Sequence, residues 1–194
     1  MAMKWIATAT MAVCLLAGGA AQAETGNISD VEISFMGIKF GANYKEVDGI
    51  LRRHGLEFDQ RVDNSYIYNG IIGEDTVSVG CVFIDGGIER IIILFNGKDD
   101  LQNEFERKSN ILSEKYGHPK TREREYSPPY KEGDGLFKIG LISGKIFFFD
   151  FYKDKFGNSV FLLMTKEPLI HMSYNSKKYA EYAEEYKKRA YEIF

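Results

Sequence analysis

The sequence contains none of the short motifs that mark the commonest catalytic and metal-binding sites. It has no G-x-x-x-x-G-K-[ST] loop for phosphates, no G-x-S-x-G nucleophile turn, no H-E-x-x-H zinc helix and no D-x-D-x-D-G calcium loop. It also lacks an excess of basic residues, since its formal net charge is −3. These absences give no support for nucleotide, serine-hydrolase or metalloprotease chemistry, and we expect no nucleic-acid partner.

Histidine is scarce, and the three histidines, His54, His118 and His171, lie far apart in the sequence. None has a second histidine or cysteine two to four residues away, which is the spacing typical of zinc sites. The acidic pair Asp99-Asp100 is sufficiently explained as a helix cap. We therefore expect no bound metal and no cofactor.

Long apolar runs are absent except for one near the N-terminus, from Trp5 to Leu16. This run follows Lys4 and precedes the small-residue site Ala21-Gln22-Ala23, which is the layout of a secretory signal peptide. It is too short to span a bilayer, and we predict no transmembrane segment. We expect cleavage after Ala23, which leaves residues 24–194 as a bacterial protein of the periplasm or the extracellular space.

Cysteine is limited to Cys14 and Cys81. Lipid attachment at Cys14 is disfavoured, because Val13 precedes it and a lipid-modified cysteine normally follows a small residue. Cys81 is then the only thiol of the exported chain, which excludes an internal disulfide. A catalytic cysteine needs an open, electropositive site, whereas Cys81 lies within a β-rich segment on its apolar face. We predict a structural role for Cys81 and assign no catalytic residue.

Two amphipathic segments predict helices that each end at a glycine. Asn43 can cap the first helix, which Gly55 ends, and Asp99 or Asp100 can cap the second, which Gly117 ends. Each helix is followed by β-rich runs separated by turn residues, a pattern typical of a meander.

This repetition predicts an α+β fold, an antiparallel sheet with helices on one face, consistent with a duplicated helix-plus-meander unit. The two halves would span about residues 33–97 and 98–166 of a single domain, residues 24–194, preceded by the signal peptide at 1–23. A C-terminal helix is predicted at about residues 175–194.

Turn residues divide the β-rich runs. A two-residue turn within Asp85-Gly86-Gly87 predicts that Cys81 shares a sheet face with Ile92 and Leu94. Residues 121–135 are predicted to form a charged connection. The three runs LFKIGLI, KIFFFDFYK and SVFLLMT are predicted strands of the second half.

Two surfaces are candidates for binding a partner. Tyr126 and Tyr130 flank a proline pair in the charged connection, and loop tyrosines are effective contact residues. Tyr179, Tyr182 and Tyr186 form a stripe at helical spacing on the C-terminal helix. The alternative interpretations are a solvated loop for the first surface and a helix docked on its own sheet for the second.

The segment from Phe40 to Gly55 spells F-G-x-x-x-x-E-V-x-x-x-L-x-x-x-G, and the second helix ends in KYGHP, residues 115–119. These patterns resemble secreted bacterial domains of the β-lactamase inhibitory protein type and the small outer-membrane assembly lipoprotein, at the level of layout over about residues 35–165. The resemblance implies an α+β fold and a non-catalytic role, and it transfers no functional residue. The chain lacks the cysteine pairs of the first type and the lipidation site of the second.

Our leading hypothesis is an exported, non-enzymatic protein that binds another envelope or extracellular macromolecule, most simply a protein. One alternative is a small hydrolase that acts on envelope glycans or peptides, with carboxylates or Cys81 and a histidine in a cleft. The other is a carrier of an apolar ligand, which the phenylalanines at positions 147, 149, 151 and 161 suggest.

Overall fold

The computed structural model describes residues 28–96 and 100–192, which form an eight-stranded antiparallel sheet and four helices. The predicted signal peptide lies outside the described residues. The elements in chain order are α1 (Tyr44–Arg53), β1 (Glu57–Val62), β2 (Ser65–Ile72), β3 (Asp75–Ile84), β4 (Gly87–Phe95), α2 (Leu101–Tyr116), β5 (Thr121–Tyr126), α3 (Phe137–Ile142), β6 (Ile146–Lys153), β7 (Ser159–Met164), β8 (Ile170–Asn175) and α4 (Lys177–Glu192).

The sheet consists of two four-stranded meanders, and its strand order is β1-β2-β3-β4-β8-β7-β6-β5. Helix α1 precedes the first meander and α2 precedes the second. The final strands of the meanders, β4 and β8, pair antiparallel from Arg90↔Asn175 to Phe95↔Ile170. The predicted α+β class is confirmed, and the strand order follows the predicted repeat of a helix and a meander.

The two predicted helix starts are present. The Asn43 side chain accepts a hydrogen bond from the Glu46 amide at 3.1 Å, and the Asp100 side chain accepts one from the Asn103 amide at 3.2 Å. Each bond satisfies a first-turn amide that has no partner within its helix.

The helices α1, α2 and α3 cover one side of the sheet, which we call the helix face. The sheet side chains buried there include Val79, Cys81 and Phe148, packed with Leu51 of α1 and Phe105 of α2. The opposite side, which we call the second face, carries the intervening residues of every strand.

The hairpin between β3 and β4 turns at Asp85 and Gly86, both with positive φ (53° and 82°), as the D-G signal predicted. The ladder then shifts register between Val82 and Phe83, which leaves Glu89 without a partner on β3. Strand β4 therefore contains a one-residue bulge at Glu89, shortly after the hairpin turn.

The bulge corrects the predicted face assignment. Cys81 pairs with Ile91, and Val79 pairs with Ile93, so these isoleucines share the helix face with Cys81. The prediction that Ile92 and Leu94 do so is wrong, because one extra residue in a strand moves every later side chain to the other face.

The second half differs from the prediction in two segments. LFKIGLI is wrongly predicted as a strand, since Phe137–Ile142 form α3. Part of the predicted charged connection is strand β5, whose arginines 122 and 124 lie over the helix face while glutamates 123 and 125 lie on the second face. This alternation of opposite charges has the period of a strand, although its composition resembles a loop.

Candidate binding surfaces

The second face carries a row of four phenylalanines, Phe147, Phe149, Phe151 and Phe161, which we call the phenylalanine ladder. All four side chains are half-buried. The centroids of Phe147 and Phe149 lie 6.1 Å apart, those of Phe149 and Phe161 5.9 Å, and those of Phe151 and Phe161 4.9 Å. These distances fall within the range of favourable aromatic pairs, so the rings form one continuous apolar surface.

Strand alternation places the ladder on this face. In the run FFFDFY of β6, the even-numbered residues Phe148, Asp150 and Tyr152 are buried on the helix face. The odd-numbered phenylalanines consequently point to the opposite side, where none of the first three helices packs. The ladder therefore places four apolar side chains on a part of the sheet that lies outside the helix-covered core, where polar residues would be sufficient.

One side of the ladder is acidic. Glu125 pairs across the strands with Phe147, and Glu123 pairs with Phe149, along the edge strand β5. Burial, and then the neighbouring Glu125 carboxylate, raise the pKa of Glu123. The surface therefore combines aromatic rings with an acidic rim, which suits a partner that has apolar and basic side chains.

Nearer the centre of the sheet, the same face carries a buried histidine. His171 on β8 lies between Leu94 of β4 and Leu163 of β7, its cross-strand neighbours. The side chain is 2% exposed, and its Nε2 has no hydrogen-bond partner among the described residues. Burial, and then the Arg90 charge, lower its pKa to about 4, which keeps the imidazole neutral at pH 7. Strand β8 was not predicted, and His171 was expected between the last strand and the C-terminal helix.

The first turn of α4 is attached to the second face through Arg90. The guanidinium donates from Nη1 to Tyr179 Oη at 2.6 Å and from Nε to Ser173 Oγ at 2.9 Å, and it lies 4.9 Å from the centroid of the Tyr179 ring. Tyr182 and Tyr186 are 51% and 59% exposed. The predicted tyrosine stripe is thus divided, with one docked residue and two exposed residues.

The other predicted pair, Tyr126 and Tyr130, lies beside α3 and is half-buried. The centroid of Tyr126 is 5.7 Å from that of Phe148, and burial is the main reason why the pKa of its hydroxyl is raised. Tyr130 packs so closely on α3 that a Cβ built on Gly140 would lie 3.1 Å from its Cγ. These tyrosines contribute to the packing of the β5–β6 connection, which the sequence did not indicate.

Cys81 is fully buried on the helix face, and burial raises the pKa of its thiol to about 12. Its position on an apolar strand face is as predicted, and a structural role stays our prediction, since a thiolate nucleophile needs an accessible sulfur with a lowered pKa. His54 and His118 are exposed. No group of three His, Cys, Asp or Glu side chains within residues 28–96 and 100–192 is placed to hold a metal ion.

A buried charge cluster below α2 was not predicted. The fully buried Asp150 carboxylate accepts from Arg124 Nη1 at 2.9 Å and from Arg122 Nε at 3.2 Å, and the Ser109 hydroxyl donates to it. Arg124 also pairs with Glu106 at 2.6 Å. Each charge has an opposite partner, so the cluster joins α2, β5 and β6 rather than leaving a group free for chemistry.

No protein family, curated protein or solved structure matches this chain. The four helices of the described part are all too short or too polar to cross a membrane.

Proposed function

We propose that this is an exported bacterial protein that binds another envelope or extracellular protein through the phenylalanine ladder and does not catalyse a reaction. The observation that carries the proposal is the row of four half-buried phenylalanine rings on the sheet face that α1, α2 and α3 leave uncovered. Export is supported by the signal-peptide pattern of residues 1–23.

The composition of the ladder favours a protein partner. Aromatic rings at the centre of a contact surface, bordered by charged residues, are the usual arrangement of energetically important interface residues. The acidic rim of Glu123 and Glu125 would select a partner segment that places basic residues beside its apolar ones. The likeness to the β-lactamase inhibitory protein type stays a proposal that rests on the glycine-ended helix patterns of the sequence at Gly55 and Gly117.

Site-specific photocrosslinking in an expressing bacterium tests the proposal. A photoreactive phenylalanine analogue would replace Phe149, in the middle of the ladder, and separately Ile71, an exposed residue near the far edge of the same face. We expect a discrete crosslinked protein from position 149 and none from position 71. When F161S is added to the protein with the analogue at position 149, most of that product should be lost, because the Phe161 ring contacts both Phe149 and Phe151.

Two results would contradict the proposal. One is equal crosslinking from positions 149 and 71, which would indicate nonspecific collision. The other is an apolar small molecule retained by the native protein in mass spectrometry and lost in the F161S variant, which would support the carrier hypothesis instead.

A further inference from the structure

We propose that α3 is a membrane-contact element that inserts its outer face into the headgroup region of an anionic phospholipid bilayer. The inference rests on residues 136–145 and Lys166, and it is independent of the phenylalanine ladder. It describes peripheral attachment of a folded protein rather than a membrane-spanning segment.

The first observation is an exposed aliphatic face formed by this short helix together with its N-cap residue, Leu136. Leu136, Ile139 and Ile142 recur every third residue and are 45%, 57% and 53% exposed. Spacing of this kind places all three side chains on one side of a helix. Single exposed aliphatic residues are common on protein surfaces, but three on less than two turns form a contiguous apolar tip.

The second observation is that the helix is held rigidly from its inner side. Leu141 is 1% exposed, and the ring of Phe137 lies 5.3 Å from that of Phe148 in the core. A Cβ built on Gly140 would lie 2.5 Å from Ile146 Cδ1 and 3.1 Å from Tyr130 Cγ, so a larger residue there would force packed side chains to shift. The outer residues therefore cannot turn inwards to bury themselves without unpacking this part of the core.

The third observation is the charge around the tip. Residues 135–149 contain Lys138 and Lys145 and no acidic residue. Lys166, from the β7–β8 connection, lies over the end of the helix, because a Cβ on Gly144 would be 2.9 Å from its Nζ. All three lysines are exposed, as is Glu167, which directly follows Lys166. The nearest preceding carboxylate, Asp134, accepts hydrogen bonds from the Lys131 and Leu136 amides.

These features fit a bilayer surface better than a protein interface. Lysine ammonium groups can contact lipid phosphates while their alkyl chains lie along the apolar region. Aliphatic residues gain free energy from partial insertion into the acyl boundary, whereas protein interfaces depend more on Tyr, Trp and Arg. The tip contains none of those three residue types.

The test is cosedimentation of the exported, purified protein with vesicles of phosphatidylcholine alone or of an equimolar mixture with phosphatidylglycerol. We expect binding to the mixed vesicles, at least about tenfold weaker binding in the triple variant L136S/I139S/I142S, and a similar loss in K138E/K145E. The matched control is I111S, which removes an exposed isoleucine from α2. It should bind as the unchanged protein does.

Folding of each variant is checked by circular dichroism, and fluorescence of a dye attached at an S143C substitution reports whether the tip enters the bilayer. Equal binding to both vesicle types, or binding that the triple variant retains, would overturn the proposal. Loss of binding to a protein partner in the triple variant, with no vesicle binding in any variant, would identify the tip as a protein interface. Crosslinking from Phe149 is a separate readout, so either proposal can fail alone.

Discussion

Protonation of His171, on the second face of the sheet, should make the free energy of unfolding depend on pH. Its pKa is about 4 in the folded protein, compared with 6.5 for an unperturbed histidine. The unfolded chain therefore binds a proton at a higher pH than the folded chain does. The stability that depends on neutral His171 is complete above about pH 6.5 and falls as the pH decreases towards 4, by up to about 3 kcal/mol.

Urea unfolding between about pH 7.5 and 4.5 measures this contribution for the unchanged protein and for H171L. We expect H171L to lose less free energy of unfolding over this range, because leucine cannot be protonated between its neighbours Leu94 and Leu163. The exposed His118 provides the control, H118Q, which should follow the unchanged protein. Parallel pH curves for H171L and the unchanged protein would refute the assignment.

Cys81 should be chemically inert in the folded protein. Its sulfur is fully buried, and its pKa of about 12 leaves almost no thiolate at neutral pH. We expect iodoacetamide to modify Cys81 only after denaturation, as measured by intact-protein mass spectrometry. An I71C variant supplies an exposed thiol for comparison. Native alkylation of Cys81 at the rate of the residue-71 thiol would reopen the hydrolase hypothesis.

At the scale of elements, the helix starts and the hairpin turn were predicted correctly because the residues that determine them are close together in the sequence. Asn43 and Asp100 cap helices within three residues, and Asp85-Gly86 forms its turn without help from distant residues. Such signals depend on the backbone and on near neighbours, so a single sequence is sufficient to identify them.

The parts that were missed depend on distant residues. Strand β5 is rich in charge, and its arginines become compatible with a sheet because Asp150 of β6 and Glu106 of α2 pair with them. The one-residue bulge at Glu89 leaves no local signal that distinguishes it from a regular ladder. The sequence pattern therefore identified the four ladder phenylalanines as an apolar group. It did not predict that Glu123 and Glu125 lie beside them on a strand.

Helix α3 shows how tertiary contacts override local preference. LFKIGLI has apolar residues at both strand and helix spacing, so its periodicity is ambiguous. Packing decides the outcome, because Phe137 and Leu141 bury on one side of a helix while Gly140 allows contact with Ile146. The exposed tip proposed to contact lipid exists because this segment is a helix. In a strand, Ile139 would point to the opposite side from Leu136 and Ile142.

At the scale of the whole molecule, the two meanders depend on each other. Within residues 28–96 and 100–192, the only ladder that joins them is β4 with β8, and both strands lie in the middle of the sheet. Separating the halves would expose the backbone groups of β4 along one edge and uncover Ile91 and Ile93, which are buried in the joined sheet. Long apolar edges of this kind favour aggregation or unfolding over a stable half-domain.

We therefore expect that a fragment of residues 28–96 will not fold alone and that mixing it with residues 100–192 will restore structure. Circular dichroism melting and amide hydrogen exchange measure both effects, with the intact chain as the reference for a single cooperative transition. A fragment that melts cooperatively by itself would show that each helix-plus-meander unit is a folding unit. In that case the β4–β8 junction would be an interface between two domains rather than the centre of one.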